Sequence, residues 1–384
     1  MTKKILFVFH DSNPLSGATT SMLEIVAQLN KSELYEITAL IPDAKGGIHS
    51  RLSQLDINYL EEKIYNVRYI KKPKNNYINE FKSFIKVALN YLLAIKLKLK
   101  EAKFDLIYTN TSDTYVGAYL ARKLNIPHIW HIREFGLEDQ SREHFLGEKS
   151  FYRLVSTSSK VIVISNALKA KLISFKVPQD KIVMIYNDVA NSIGCFNKNF
   201  NVNEPLSLLI VGTITKEKGH SFLFECIKYM NKKGFKVKLS IVGDDSTLYA
   251  KKLKSKIKDE GFSDSIRFLG YSSDVNRIRK DYDVAVIASK AEAFGRVTIE
   301  AMHAKMTVIA SDCGANPELI KHSDNGFLFE EGNVEQFSEI VAHINDNRDI
   351  LHEVGSRAHK FAEQFSRKRA ATEVDKILLE SLDL

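Results

Sequence analysis

Glu292 and Glu300 stand with seven residues between them, around the run Ala293-Phe294-Gly295-Arg296-Val297, where a helix is expected to open near Arg296. Free backbone N–H groups at a helix start favour a phosphate, and a glycine there lets the ligand come close to the backbone. Glu292 precedes the helix and Glu300 lies about one turn inside it, so both carboxylates can face one ligand at different heights. An ionised carboxylate only accepts hydrogen bonds, which suits vicinal hydroxyls better than phosphates. Two acids at a helix start also compensate the macrodipole with no ligand at all, and the pair alone leaves both readings open.

The elements that would position this pair are legible as apolar runs rich in Ile, Val, Leu and Phe. In the first half they are Lys4–Phe9, Glu36–Ile41, Asp105–Thr109, Pro127–His131 and Lys160–Ile164; in the second, Leu206–Val211, Val237–Val242, Asp283–Ala288 and Thr307–Ser311. Such runs, alternating with helical periodicity, read as strands of parallel sheets covered on both faces. Two rounds of the alternation predict an α/β chain of two doubly wound, Rossmann-like domains facing a central cleft, with ligands beyond the carboxyl ends of the strands. The expected domains are 1–190 and 205–365, joined by the polar, turn-forming stretch Asn187–Pro205. The chain has 384 residues, 44% of them hydrophobic and 27% charged, which suits two globular domains.

Several classes are disfavoured. The apolar run after Met1-Thr2-Lys3-Lys4 stops at His10-Asp11, too short for a signal core, and no run of about 18 apolar residues is present. Cys195, Cys226 and Cys313 lie far apart and form no CxxC pair, so a disulfide framework or zinc site is not expected and a cytoplasmic setting fits best. Residues 1–190 carry 27 Lys and Arg against 19 Asp and Glu; between Lys63 and Lys103, 11 basic residues face only Glu80 and Glu101. That field favours an anionic partner. Within it, Ile78, Phe81, Ile85, Ala88, Leu92, Ile95 and Leu99 form one apolar helical stripe, with Lys82, Lys86, Lys96 and Lys100 on another face and Lys71, Lys72 and Lys74 just upstream. Either the stripe packs on its own sheet or the helix lies on an anionic membrane. Nucleic acid is not an expected partner, because no nucleic-acid module accompanies the charge.

The motif Glu292-Ala293-Phe294-Gly295-x4-Glu300-Ala301-Met302 resembles the E-x-F-G-x4-E-A-M signature of retaining glycosyltransferase family 4, whose fold is GT-B. Seven further segments resemble that family in its own order. They are Ser16-Gly17-Ala18, Ile164-Ser165, Ile185–Val189, Val211–Gly219, Phe268–Tyr271, Asp312–Glu318 and Asn325–Phe329. The resemblance implies a transferase of the hexosyl type that takes sugar from a nucleotide-sugar donor, by family frequency a UDP-sugar. Its acceptor would be a surface polysaccharide, a teichoic-acid-like polymer or a glycolipid. It implies that Glu300 holds the ribose hydroxyls, that Glu292 meets sugar hydroxyls, and that Phe294, Gly295, Arg296 and Val297 line the sugar and diphosphate. Lys218 would neutralise the departing nucleotide, Gly17 and Gly212 with Thr213 would border the diphosphate, and Tyr271 the base. Front-face attack in this family needs no carboxylate nucleophile, so Glu292 is not assigned as one; no cofactor or metal is expected, the nucleotide-sugar being a substrate. The last segment, 366–384, would cross back to complete the first domain, and the enzyme would sit in the cytoplasm, peripheral on the inner face of the membrane.

The chain departs from the family at three places. Thr213 stands where an arginine is usual, and Arg296 where a leucine is usual, which suggests that Arg296 supplies the missing charge. His303-Ala304-Lys305-Met306 replaces an A-x-G-x-P turn and should alter only the path from helix to strand. Around Trp130–Gly136, the family's sugar-facing histidine position falls on Arg133 by count, not on His131. His131, Arg133 and Glu134 are all candidates for donor or acceptor contact, against a purely structural His–Glu or Arg–Glu pair. Other readings with the same fold are a nucleotide-sugar epimerase or sugar phosphorylase, and a non-catalytic GT-B subunit that only binds an acceptor.

Overall fold

A computed structural model of the chain describes residues 2–42, 46–70, 76–100, 103–145, 147–191 and 204–384. The chain divides into two compact units, one of residues 1–188 with 368–384 and one of residues 189–367. Gly194, Cys195, Lys71, Lys72, Lys74 and Glu101 lie outside the described residues.

In the first unit the strands are β1 (Lys3–Val8), β2 (Tyr35–Ile41), β3 (Asn58–Glu61), β4 (Tyr69–Ile70), β5 (Leu106–Asn110), β6 (His128–Ile132), β7 (Arg142–Glu143), β8 (Lys160–Val163) and β9 (Ile182–Met184). Seven of them make one parallel sheet in the order β3-β2-β1-β5-β6-β8-β9, while β4 and β7 form a small antiparallel pair. The apolar run of β1 is continuous because its two faces enter different cores. Ile5 and Phe7 pack with Met22, Val26 and Leu378; Leu6 and Val8 pack with Leu93, Leu97 and Leu120. The final helix, Arg369–Ser381, closes the first of these cores with Val374 and Leu378. Asp188 fixes its start by accepting from the backbone N–H of Arg369 and Ala370, each at 3.0 Å.

The second unit repeats the plan with β10 (Leu206–Val211), β11 (Val237–Val242), β12 (Ile266–Gly270), β13 (Val284–Ile287), β14 (Thr307–Ser311) and β15 (Phe327–Phe329), in the parallel order β12-β11-β10-β13-β14-β15. Both sheets are thus doubly wound and Rossmann-like, as expected. In each the order reverses beside the first strand, between β1 and β5 and between β10 and β13, which is where such sheets bind ligands. The departure at His303–Met306 is a turn in which Lys305 takes φ 55°, a conformation that costs a side chain more than it costs glycine.

The helix Asn76–Leu99 corrects one alternative. Its buried face is Ser83, Asn90, Leu93, Ala94 and Leu97, not the predicted apolar stripe. Ile78, Phe81, Ile85, Leu92 and Leu99 are exposed, as are Tyr77 and Phe84, so the stripe does not pack on its own sheet. Lys96 and Lys100 are tied to Glu62 at 2.7 and 3.1 Å. Among the described residues no helix is long and apolar enough to cross a membrane.

Candidate donor-binding site

The richest cluster of ligand-type groups lies at the carboxyl ends of β10 and β13. The loop after β10 carries Gly212, Thr213 and Lys218, and ends at Gly219, whose φ of 76° starts the helix His220–Lys232. A Cβ at Gly219 would fall 1.9 Å from the carbonyl oxygen of Ala288, so only glycine lets this loop press on the end of β13. The two loops are stitched by Lys290 N–H donating to the Glu217 carbonyl at 2.8 Å. Lys218 Nζ consequently reaches Glu292 Oε1 at 2.6 Å, and Ser289 Oγ donates to the same oxygen at 2.6 Å. Both distances are those of charge-assisted bonds. Glu292 is held from behind as well, because its carbonyl accepts from Ala315 N–H at 2.7 Å and Gly314 packs too close to its backbone for any side chain.

Gly295, at φ 92°, caps the helix Arg296–His303, which therefore begins where the sequence places it. Glu300 lies in that helix with its carboxylate between two guanidinium groups. Arg279 Nη2 donates to Oε2 at 2.8 Å, and Arg296 Nε stands 3.4 Å from Oε1 one turn earlier. Arg279 is buried and also donates to Asn276 Oδ1 at 2.7 Å, so it is a rigid anchor. A carboxylate has about four lone-pair sites; two arginine contacts orient Glu300 and leave capacity for a pair of hydroxyls. No motif points to Arg279, which arrives from a short helix, Val275–Arg279, in another part of the chain. The same contact shows Arg296 engaged with a carboxylate at the mouth of the loop. Of the remaining predicted positions, Tyr271 and Thr213 are exposed, Val297 is half-buried, and Phe294 is buried with its ring 5.7 Å from that of Phe365.

In the first unit the ends of β1, β5 and β6 gather a second polar cluster. Gly17 opens the helix Gly17–Leu29 with its preceding Ser16 turned away from capping, donating instead to Asp11 Oδ2 at 2.9 Å. Thr19 Oγ1 donates to the other oxygen of Asp11 at 2.6 Å, and His10 Nε2 lies 3.1 Å from Oδ2. His131 is buried inside the sheet. Its Nδ1 meets Tyr108 Oη at 2.6 Å and Arg133 Nη2 at 3.1 Å, which places the ring proton on Nε2. Burial, then the charge of Arg133, hold the imidazole well below its ordinary pKa, so it is neutral. Arg133 is buried too, with Nε on Asn110 Oδ1 at 2.6 Å and Nη1 on Asn187 Oδ1 at 2.5 Å. Glu134 accepts from the backbone N–H and hydroxyl of Ser112, both at 2.5 Å, with Arg68 Nη2 4.0 Å away. The structure thus builds His131, Arg133 and Glu134 into the fold, and brings His10 and Asp11 to the strand end. The sequence contained that signal in the His-Asp dipeptide closing the first strand.

His10 yields a pH-dependent prediction. Burial opposes its charge, but the hydrogen bond and charge of Asp11, backed by Asp113 and Glu134, outweigh it and raise its pKa above the ordinary 6.5. A histidine raised in the folded state contributes stability fully below the unfolded value and loses it as pH climbs through the folded one. His10→Gln should therefore lower the melting temperature most near pH 6 and progressively less as the pH rises above the ordinary histidine range. A melting deficit that does not change with pH would show that no charge-linked stability resides at His10.

Two family models match the chain: Glycosyltransferase Family 4 over residues 15–190 and Glycosyl transferases group 1 over residues 195–361. An uncharacterised glycosyltransferase of Methanocaldococcus jannaschii is 27% identical over 325 residues, covering 83% of this chain and 85% of that protein. The poly(ribitol-phosphate) alpha-N-acetylglucosaminyltransferase of Staphylococcus aureus is 24% identical over 73% of this chain and 56% of its own length. Among solved structures, HepE of Anabaena in complex with UDP and glucose superposes with a TM-score of 0.75 at 21% identity, covering 99% of this chain and all of that one.

Proposed function

The chain belongs to glycosyltransferase family 4 and is a glycosyltransferase of the GT-B type, and from that premise we propose a retaining transfer of sugar from a UDP-sugar to a cell-surface polymer or glycolipid. The observation that carries the donor assignment is the pairing of Glu300 with Arg279 and Arg296 in the same loop-and-helix unit that holds Lys218 against Glu292. An oriented carboxylate suits ribose hydroxyls, and a lysine beside a glycine turn suits a diphosphate. Glu292, bonded to Lys218 and Ser289, is placed to accept from sugar hydroxyls once Lys218 turns to phosphate. Arg296, in the first helical turn, serves as the cation answering Thr213. His131 and Arg133 act as positioning residues at the acceptor side, since burial withholds both from direct proton transfer.

The acceptor reading draws support from the named activity of the Staphylococcus aureus relative. The exposed stripe of the helix Asn76–Leu99, flanked by Lys82 and Lys86, supports a peripheral position on the anionic inner face of the membrane.

Thermal shift against a panel of nucleotide sugars tests the donor. A ligand at about 100 times its Kd adds ~2.7 kcal/mol to the folded state, or about 5–10 °C in melting temperature. UDP-sugars should give that rise and purine nucleotide sugars a much smaller one; a rise with none removes the donor assignment. The anomeric configuration of the first product, read by NMR, tests retention, and an inverted anomer refutes it.

A further inference from the structure

A cavity of 370 Å³ in the first unit lies apart from the strand-end clusters, between the segment leading into β4, the helix Asn76–Leu99 and β7. Its charged lining is Arg68, Lys82, Lys86 and Arg142, with Asn66 and Asn79 beside them, and Glu80 and Glu143 stand behind the wall at the side chain of Tyr69. Arg68 is the rigid element. Its Nε is 2.6 Å from Asp113 Oδ1 and its Nη2 donates to Gln140 Oε1 at 2.9 Å, yet Nη1 is buried and has no hydrogen-bond partner among the described residues. A buried guanidinium nitrogen left unsatisfied is costly unless something else answers it. Lys82 and Lys86 sit one turn apart on the helix flank, and Arg142 is fixed opposite by the pairing of Ile70 with Arg142 in the β4–β7 ribbon. Ser83 secures the same turn of helix by donating to the Val67 carbonyl.

We propose that this pocket holds the phosphate of a phosphate-ester acceptor, which rests on the transferase reading above and names the acceptor's chemical class. Arg142, Lys82 and Lys86, from two elements, line one void in front of the buried, Asp113-paired guanidinium of Arg68, which suits a group with several equivalent anionic oxygens. The phosphate can be borne by a membrane lipid or by a polyol-phosphate polymer. The chemistry of the pocket is common to both, and the two sources are separable by experiment.

Calorimetric titration of the full chain with inorganic phosphate, sn-glycerol 1-phosphate and glucuronate, and sedimentation with phosphatidylcholine vesicles with and without phosphatidylglycerol, make the test. The variants are Lys82→Ala/Lys86→Ala and Arg142→Ala, with Lys98→Ala on the exposed far flank of the helix as control. Glycerol phosphate should bind the wild type and lose about tenfold or more in affinity in either pocket variant, the Lys98→Ala protein being unchanged. In Arg142→Ala, which keeps the helix charges of Lys82 and Lys86, loss of glycerol phosphate and phosphatidylglycerol binding together assigns a lipid phosphate; loss of glycerol phosphate alone, with vesicle binding intact, assigns a phosphopolymer. Wild-type affinity in both pocket variants, equal weakening by Lys98→Ala, or equally tight glucuronate binding overturns the proposal. Donor hydrolysis without acceptor, measured on the same samples, separates the two readings: its persistence in the pocket variants leaves the transferase assignment standing whatever the pocket binds.

Discussion

Lys218→Ala is expected to lower kcat for sugar transfer by about 10²–10³-fold while leaving the fold almost as stable as before. The catalytic part follows from where charge develops. With the proposed nucleotide-sugar donor, the diphosphate gains negative charge as its glycosidic bond breaks, and a cation at the end of β10 would stabilise that state more than the bound donor. The lysine is already positioned, because Gly219 pins its loop to Ala288 and Lys290 ties it to the loop after β13 that carries Glu292. The stability part follows from exposure. The side chains of Lys218 and Glu292 are 31% and 16% exposed, and a partly exposed pair contributes only about 0–1 kcal/mol. Arg296→Leu should act in the same direction but more weakly, about tenfold, since Arg296 also shares in holding Glu300. Its signature is a rise in donor KM beside the fall in kcat, because a loosened Glu300 weakens ground-state binding as well. Steady-state kinetics with saturating acceptor decide both. A Lys218→Ala enzyme within threefold of the wild type would remove the lysine from the leaving-group role.

What the sequence makes legible here follows a physical line. The central strands β1, β5, β13 and β14 are readable because burial on both faces favours largely apolar runs. The edges β3 and β9 are absent from that reading. All four residues of β3 are exposed, and β9 is three residues long, so hydrophobicity carries no period there. Within the candidate donor site, Glu292, Glu300 and Lys218 stand out because their own loops and helix fix their local spacing. Arg279 does not, since its meaning comes from a partner 21 residues away that only tertiary packing supplies. His131 is a candidate by residue type, and its place inside β6, hydrogen-bonded to Tyr108 and neutral, is something only the fold supplies. In the helix Asn76–Leu99 the apolar period is present, but the stripe faces solvent and not the helix's own sheet. Periodicity states that an apolar stripe exists, and nothing in it says which medium covers the stripe.

That distinction gives the second large effect. Phe81→Ser/Ile85→Ser should lower binding to anionic vesicles by about 10²-fold while leaving the melting temperature unchanged or slightly raised. Phe81 is 63% and Ile85 41% exposed, so the folded protein gains little from either side chain in water. At a bilayer surface each would bury apolar area worth about 1.5–3 kcal/mol when fully covered, and partial insertion of two such residues accounts for the expected loss. Lys82 and Lys86 add an electrostatic part of about 1 kcal/mol each near an anionic leaflet, which high salt should remove while the apolar part survives. Leu93→Ser on the opposite face is the informative contrast. Leu93 is 7% exposed and packs with Leu6 and Val8, so its loss should destabilise the unit by several kcal/mol, with the order of about 2–5 kcal/mol set by the cavity and the buried hydroxyl. If the double variant still partitions to phosphatidylglycerol vesicles as the wild type does, the exposed stripe has no role at the membrane. If it loses binding while Leu93→Ser loses folding, one helix is shown to serve two solvents, with its smaller apolar face committed to the protein and its larger one to the lipid.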